Sequence, residues 1–147
     1  MTAEDVKRLR DMTGAGVMEA KKALEEASGD IDKAISIINE RGIVRAEKKS
    51  DRTTGSGIFA TYIHNDRIGV LLELRCETDF VARLDEFKGL GRDIAMQIAA
   101  TDPQDTTELL ASAYIKDESL TVENLIKGAI AKIGENIQIG RFCRYAL

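Results

Sequence analysis

The stretch Leu72–Arg83, LELRCETDFVAR, decides how the chain is read. It opens like a buried strand: Leu72, Leu74 and Cys76 alternate with Glu73, Arg75 and Glu77, the period of two that gives a strand one core-facing side. The alternation stops at Thr78-Asp79-Phe80, and a helical pattern takes over. If a helix begins at Asp79, then Phe80, Leu84, Phe87, Ile94 and Ile98 share one side and Phe80 belongs to the core. If the helix begins near Asp85, TDFVAR is a separate turn from which Phe80 projects. Periodicity leaves both readings open. A projecting Phe gains roughly 1.5–3 kcal/mol when a partner buries it fully, as an aromatic hot spot does. Asp79 beside it would then act on a charged site in that partner.

The flanking sequence supplies the partners of this strand. IFATYIH (58–64) and RIGVLLELRC (67–76) carry β-branched and aromatic residues in period two. His64-Asn65-Asp66-Arg67 is the turn between them. Beyond the decisive stretch, a helix is expected over about Asp85 to Ala100, with Phe87, Leu90, Ile94 and Ile98 on one face. ATDPQD breaks it, and a helical turn covers about Thr107 to Ala111. Thr121 caps a further helix with Val122, Leu125, Ile126, Ala129, Ile130 and Ile133 as its stripe and Gly134 at its end. NIQIGRFCRYAL alternates well enough to be a third strand.

Residues 1–42 form a separate three-helix pattern. Thr2 and Asp5 stand in a capping-box arrangement, and TGAG (13–16) makes a sharp turn that its glycines permit. Val17, Ala20, Leu24 and Ala27 form the second stripe, with Met18 rotated ~100° away from it and so a candidate exposed contact. Asp30 caps a third helix carrying Ile31, Ala34, Ile35 and Ile38, and Gly42 is expected to end it. Forty-two residues are near the lower limit for an independent core. Residues 43–56 read as a basic, Gly-rich linker, and 57–147 as the larger domain. The expected fold class is α+β: three helices, then an antiparallel sheet of about three strands packed with helices.

Composition narrows the function. The 147 residues are 44% hydrophobic and 31% charged, with a net charge of −4, a globular balance without the basic excess of most nucleic-acid binders. The cations Arg41, Arg45, Lys48, Lys49 and Arg52 are a local exception, read as a solvated stretch. No apolar run approaches the ~18 residues that span a bilayer, and MTAEDVKRLR has no signal-peptide character. Cys76 and Cys143 make neither a disulfide framework nor a zinc site. The single histidine, His64, falls in a turn. No nucleophile–base set, metal-ligand spacing or phosphate loop occurs. A binding protein without bond chemistry, cofactor or metal is therefore expected over an enzyme, in a reducing compartment.

LRDMTGAGVMEAKKALEEASGDIDKAI, RAEKKSDR, GVLLELRCETDFVAR and AIAKIGENI, in this order, resemble the bacterial elongation factor Ts family, and the similarity runs to the closing RFCRYAL. The resemblance implies a ubiquitin-associated-like three-helix domain, then an antiparallel sheet with helices. It implies guanine-nucleotide exchange on elongation factor Tu: the TDFV segment enters the GTPase domain near a switch, Asp79 and Phe80 disturbing the magnesium site while Thr78 and Val81 shape the turn. Arg10, Val17 and Met18 would grip a helix elsewhere on that partner. It further implies a cytoplasmic, bacterial-type protein, with an organellar origin as the alternative. Short members dimerise through their cores, and Cys143 matches a cysteine able to cross-link such dimers, an optional bond in a reducing cytosol. Three positions depart from the family pattern: Arg75 for Asn, Leu84 for the Asn or Asp that caps the next helix, and Val17 for Met. Residues 101–114 stand where a helical excursion is usual. Competing readings are a ubiquitin-associated-like binding module without exchange activity, for which Phe80 is dispensable, and an RNA-associated protein acting through Arg41–Arg52.

Overall fold

A computed structural model describes all residues, Met1 to Leu147. The three N-terminal helices are α1 (Ala3–Thr13), α2 (Val17–Glu26) and α3 (Ile31–Lys48). The capping box expected at Thr2 is present, with both reciprocal hydrogen bonds to Asp5 formed. Donation from the Thr2 backbone and hydroxyl holds the Asp5 carboxyl below its ordinary range. Gly14 ends α1 at φ 73°, a left-handed conformation that costs a residue with a Cβ much more than glycine. Leu9, Ala20, Ala23, Leu24, Ala27, Ala34 and Ile38 close a small core. Val17 is not part of it, being half exposed at the first position of α2. The second stripe is therefore Ala20, Ala23, Leu24 and Ala27, shifted away from the residues flanking the TGAG turn.

Helix α3 does not end at Gly42. It continues through Lys48, so the first six residues of the expected linker are helical. The reason is packing. A Cβ on Gly42 would lie 3.2 Å from the Cβ of Ala131, so the missing side chain lets α3 cross closely over the later helix α7 (Val122–Ile133). One turn on, Ala46 is 1% exposed and joins the larger core. Gly42 thus acts as a small contact residue within a helix, and tertiary packing overrides its low intrinsic helix propensity.

The main sheet has the order β1-β2-β5, all antiparallel, formed by β1 (Ser56–His64), β2 (Ile68–Cys76) and β5 (Ile137–Ala146). The β1–β2 turn places Asn65 and Asp66 at φ 51° and 57°, with Arg67 N–H donating to His64 C=O, as a type I′ hairpin turn requires. One face of this sheet, with Ala60, Val70, Leu72 and Leu74, is buried in a core shared with Phe87, Ile94 and Ile98 of α5 (Asp85–Thr101) and with Val122, Ile126 and Ile130 of α7. Two short helices, α4 (Asp79–Ala82) and α6 (Thr106–Ala111), and a second sheet complete the fold.

That second sheet, β3 (Ala113–Tyr114) with β4 (Asp117–Thr121), has no counterpart in the sequence expectation. Its support comes from Gln97, a fully buried polar residue on α5. The Gln97 amide nitrogen donates to Ala113 C=O at 2.9 Å, and its oxygen accepts from Ile115 N–H at 2.9 Å. Two residues in β3 are too few for a period to register. No helix is long and apolar enough to cross a membrane.

Candidate partner-binding surface

The strand reading of Leu72–Cys76 holds, and the structure resolves the conformation of the TDFVAR segment beyond it. Helix begins at Asp79 but stops after one turn; Leu84 is extended, at φ −67° and ψ 136°, and α5 starts afresh at Asp85. The second sequence alternative holds, with the long helix starting at Asp85 and Phe80 projecting from a separate turn. Neither alternative expects that separate turn to be helical. The break turns α4, so that Val81 and Ala82 are buried while Phe80 is 74% exposed. Successive helical residues differ by ~100° in direction, and Val81 and Phe80 accordingly point apart. Leu84 forms no side-chain cap; it packs against the large core instead.

Each residue singled out in the TDFV segment has a distinct position. Thr78 is the N-cap, its Oγ1 accepting from Val81 N–H at 3.4 Å. The exposed Asp79 carboxylate accepts a short hydrogen bond from the Ser56 hydroxyl. Val81, grouped with the contact residues by resemblance, is 4% exposed; it anchors the turn from inside and presents no surface. Phe80 alone of the four offers a large apolar side chain to solvent.

The second group of expected contacts lies on the small N-terminal core. Met18 is 74% exposed, Val17 half exposed, and Met12 nearby in sequence also exposed. The Arg10 guanidinium donates to Ala15 C=O at 3.4 Å and so lies along the TGAG turn. Arg10, Val17 and Met18 therefore belong to the corner where α1 meets α2. This corner stands on the small buried cluster and the Phe80 turn on the large one.

A third exposed apolar region covers the outer face of the main sheet. Register places Thr61, Leu71 and Cys143 in one row across the three strands, and Ile63, Gly69 and Tyr145 in the next. Phe59, Ile63, Leu71 and Tyr145 are exposed there, and Cys143 is an exposed free thiol among them. Glu73, at the end of this face, bonds Arg141 at 2.9 Å and Arg75 at 3.4 Å. The Arg141 guanidinium is the main cause that holds its carboxyl below the usual range. Cys76 is the opposite case: burial, with the Glu135 carboxylate adding to it, pushes its thiol pKa up.

Three of the five cations of the basic segment are paired within the chain, and Lys48 and Lys49 are not. Arg41 pairs with Glu26 at 2.5 Å, Arg45 with Glu19 at 2.8 Å and Arg52 with Glu77 at 3.6 Å. Such pairing lowers the free charge that this segment offers to a phosphate backbone, which is bound when cations neutralise phosphates and release their counterions. No group of three or more His, Cys, Asp or Glu residues is placed to hold a metal ion.

Sequence reasoning gave no role to Glu135, the residue after the C-cap Gly134 of α7. Its carboxylate accepts from Glu77 N–H at 3.1 Å, Thr78 N–H at 3.0 Å and the Thr78 hydroxyl at 2.7 Å. The partners are 57 and 58 residues away in sequence, a separation that no periodicity reports.

A family model described as Elongation factor TS matches residues 77–147, the part that begins with the Phe80 turn. Elongation factor Ts of Thermosipho melanesiensis is 44% identical over all of this chain and 98% of its own length. The protein of that name from Prochlorococcus marinus strain AS9601 is 44% identical over all of this chain and 89% of its own length. That of Aquifex aeolicus is 48% identical over 99% of this chain, which spans 52% of it. These relatives place the chain among the translation elongation factors. It belongs to the elongation factor Ts family. Its alignment with the Thermosipho protein occupies 193 positions, 46 more than the 147 residues of this chain, so this chain is a contracted version of that relative.

Proposed function

We propose that this protein is a guanine-nucleotide exchange factor that binds elongation factor Tu in its GDP-bound and nucleotide-free forms and promotes GDP release, in the cytoplasm, without making or breaking a covalent bond. The observation that carries this reading is Phe80: a large aromatic held 74% exposed on a turn whose next two residues are buried. A side chain so placed enters a partner without the core having to open. In this reading Phe80 and Asp79 enter the GTPase domain near the switch and disturb the Mg²⁺ site. Mg²⁺ neutralises phosphate charge, so weakening its hold weakens GDP binding. Arg10, Val17 and Met18 form a second contact through the N-terminal corner.

Linkage sets the requirement. A factor that weakens GDP binding is itself displaced by GDP to the same degree. Moving the equilibrium by ~10⁴-fold takes about 5.5 kcal/mol of differential binding, whereas burying one Phe contributes about 1.5–3 kcal/mol. The N-terminal contact and the core surface must supply the rest, which favours a broad interface over a single wedge. The direct test is release of fluorescent GDP from elongation factor Tu of the same source. Strong acceleration by this chain over the GDP-only control is expected. If the folded chain leaves the rate unchanged, the exchange reading is lost and a non-exchanging binding module replaces it.

The same reading includes a homodimer formed through the outer face of the sheet. Phe59, Ile63, Leu71 and Tyr145 give that face an apolar surface, which a second copy would bury. Cys143 lies in the Leu71 row, where a cross-link between copies is geometrically natural but unnecessary under reducing conditions. Sedimentation equilibrium with reductant present is expected to give a dimer, and Leu71→Glu a monomer. A monomeric parent at the concentrations used for exchange would remove the dimer and leave the exchange reading in place.

A further inference from the structure

We propose that Glu135 is a positioning residue for nucleotide exchange, setting the direction in which Phe80 projects; this rests on the reading that Phe80 enters the partner. Helix α4 is four residues long, one turn, and a single turn has no cooperative stability of its own. Its conformation must be imposed by its surroundings. Val81 and Ala82 fix it from beneath, but burial is not directional and leaves the turn free to rotate about that contact. Direction has to come from hydrogen bonds.

Three of those bonds converge on one carboxylate. Strand β2 ends at Cys76, so the N–H groups of Glu77 and Thr78 have left the sheet ladder. Both donate to Glu135 Oε1, at 3.1 and 3.0 Å. Two successive backbone N–H groups aimed at one anion form a concave site of the kind that favours a carboxylate. The Thr78 hydroxyl donates to Oε2 at 2.7 Å. That donation fixes its hydrogen and turns a lone pair toward Val81 N–H, which starts α4. Glu135 thus controls both the entry angle of the chain and the cap that begins the turn bearing Phe80.

The reverse contact closes the clamp. Glu77 Oε2 accepts from Asn136 N–H at 3.0 Å, so residues 77–78 and 135–136 exchange a carboxylate in each direction. The Asn136 amide nitrogen donates to Ser50 C=O at 3.3 Å and to Arg52 C=O at 2.9 Å. The segment after α3 is tied to the same point. Asp79 is held from another side by the Ser56 hydroxyl.

The test measures GDP release from elongation factor Tu against factor concentration, giving a maximal rate and a half-saturating concentration. It is paired with amide hydrogen exchange on the chain alone. Glu135→Ala is expected to lose protection at the Glu77 and Thr78 amides while those of Leu72 and Leu74 keep theirs. The maximal rate is expected to fall about ten-fold, the factor that one lost charge-assisted hydrogen bond corresponds to. The half-saturating concentration should move by less than about two-fold, because the N-terminal contact is untouched. Glu135→Gln keeps the Oε1 acceptor for both amides but sets a donor where Oε2 accepts from the Thr78 hydroxyl, so it should keep the amide protection and give a maximal rate between those of the parent and Glu135→Ala. If Glu135→Ala does not fold, Thr78→Val, which deletes the hydroxyl's donation to Glu135 and its cap on Val81 N–H but keeps both backbone legs, carries the test with a several-fold lower maximal rate. Lost protection with the parent's maximal rate would overturn the positioning role while exchange stands. An inactive parent would remove the exchange reading, and the role of Glu135 with it. A rate that falls equally in Glu135→Ala and Glu135→Gln, with the Glu77 and Thr78 amides still protected in the Gln variant, would overturn the clamp as well, since an acceptor at Oε1 would then be present without effect.

Discussion

Phe80→Ala is expected to lower the rate of GDP release at a fixed, sub-saturating factor concentration by about 10–100-fold and to leave stability unchanged. The two halves of this expectation have different origins. The side chain is 74% exposed, so removing it leaves no cavity, and surface substitutions of this kind change stability by about ±0.5 kcal/mol. Alanine is also the better helix former, which favours the variant slightly in α4. In the complex the same side chain would be buried, and losing roughly 1.5–3 kcal/mol of burial corresponds to about 10–100-fold. Stopped-flow release of fluorescent GDP reads the rate, and a thermal melt reads the stability. Parent-like acceleration by the variant would deny Phe80 its part and move the wedge to other residues. A large fall in the melting midpoint would instead show that Phe80 supports the fold, against its exposure on α4.

The two readings of Phe80 show what a sequence can and cannot carry. The strand Leu72–Cys76 is legible because alternation reports one buried face, and so are the hairpin turn, α7 and its caps, all local matters. The direction of Phe80 is not legible, because it depends on a break at Leu84, a residue with no helix-stopping chemistry. The groups that fix that break and the turn before it are distant: the buried side of the turn belongs to a core shared with α5 and α7, and its hydrogen bonds come from Glu135. The end of α3 is hidden for the same reason. Gly42 is a poor helix former alone, and only the approach of Ala131 makes its small size an asset. The family motifs bring Arg10, Val17 and Met18 to attention as one group and Thr78, Asp79, Phe80 and Val81 as another. The structure leaves Val81 in the interior.

Phe87→Ala supplies the counterpart to the surface variant, and its effect is expected on stability. Phe87 lies on α5, seven residues beyond Phe80, and is fully buried in the core that joins the sheet to α5 and α7. Truncating a buried Phe to Ala costs about 3–5 kcal/mol, the lost transfer energy plus the cavity left behind. A domain of this size has on the order of 5–15 kcal/mol of total stability, so the variant should lose a large fraction of it and unfold at clearly lower urea concentration. Urea denaturation followed by circular dichroism measures the loss; a change under about 1 kcal/mol would mean that α5 is not packed on the sheet through Phe87. Its effect on exchange should be indirect. At a temperature where the variant remains folded, the rate per folded molecule should approach that of the parent, since Phe80, Glu135 and the N-terminal corner are untouched. Two phenylalanines on adjoining helices are thus expected to fail in opposite ways, one in activity with the fold intact and one in the fold with the activity of its folded fraction intact. That separation arises from the single extended residue, Leu84, that divides α4 from α5.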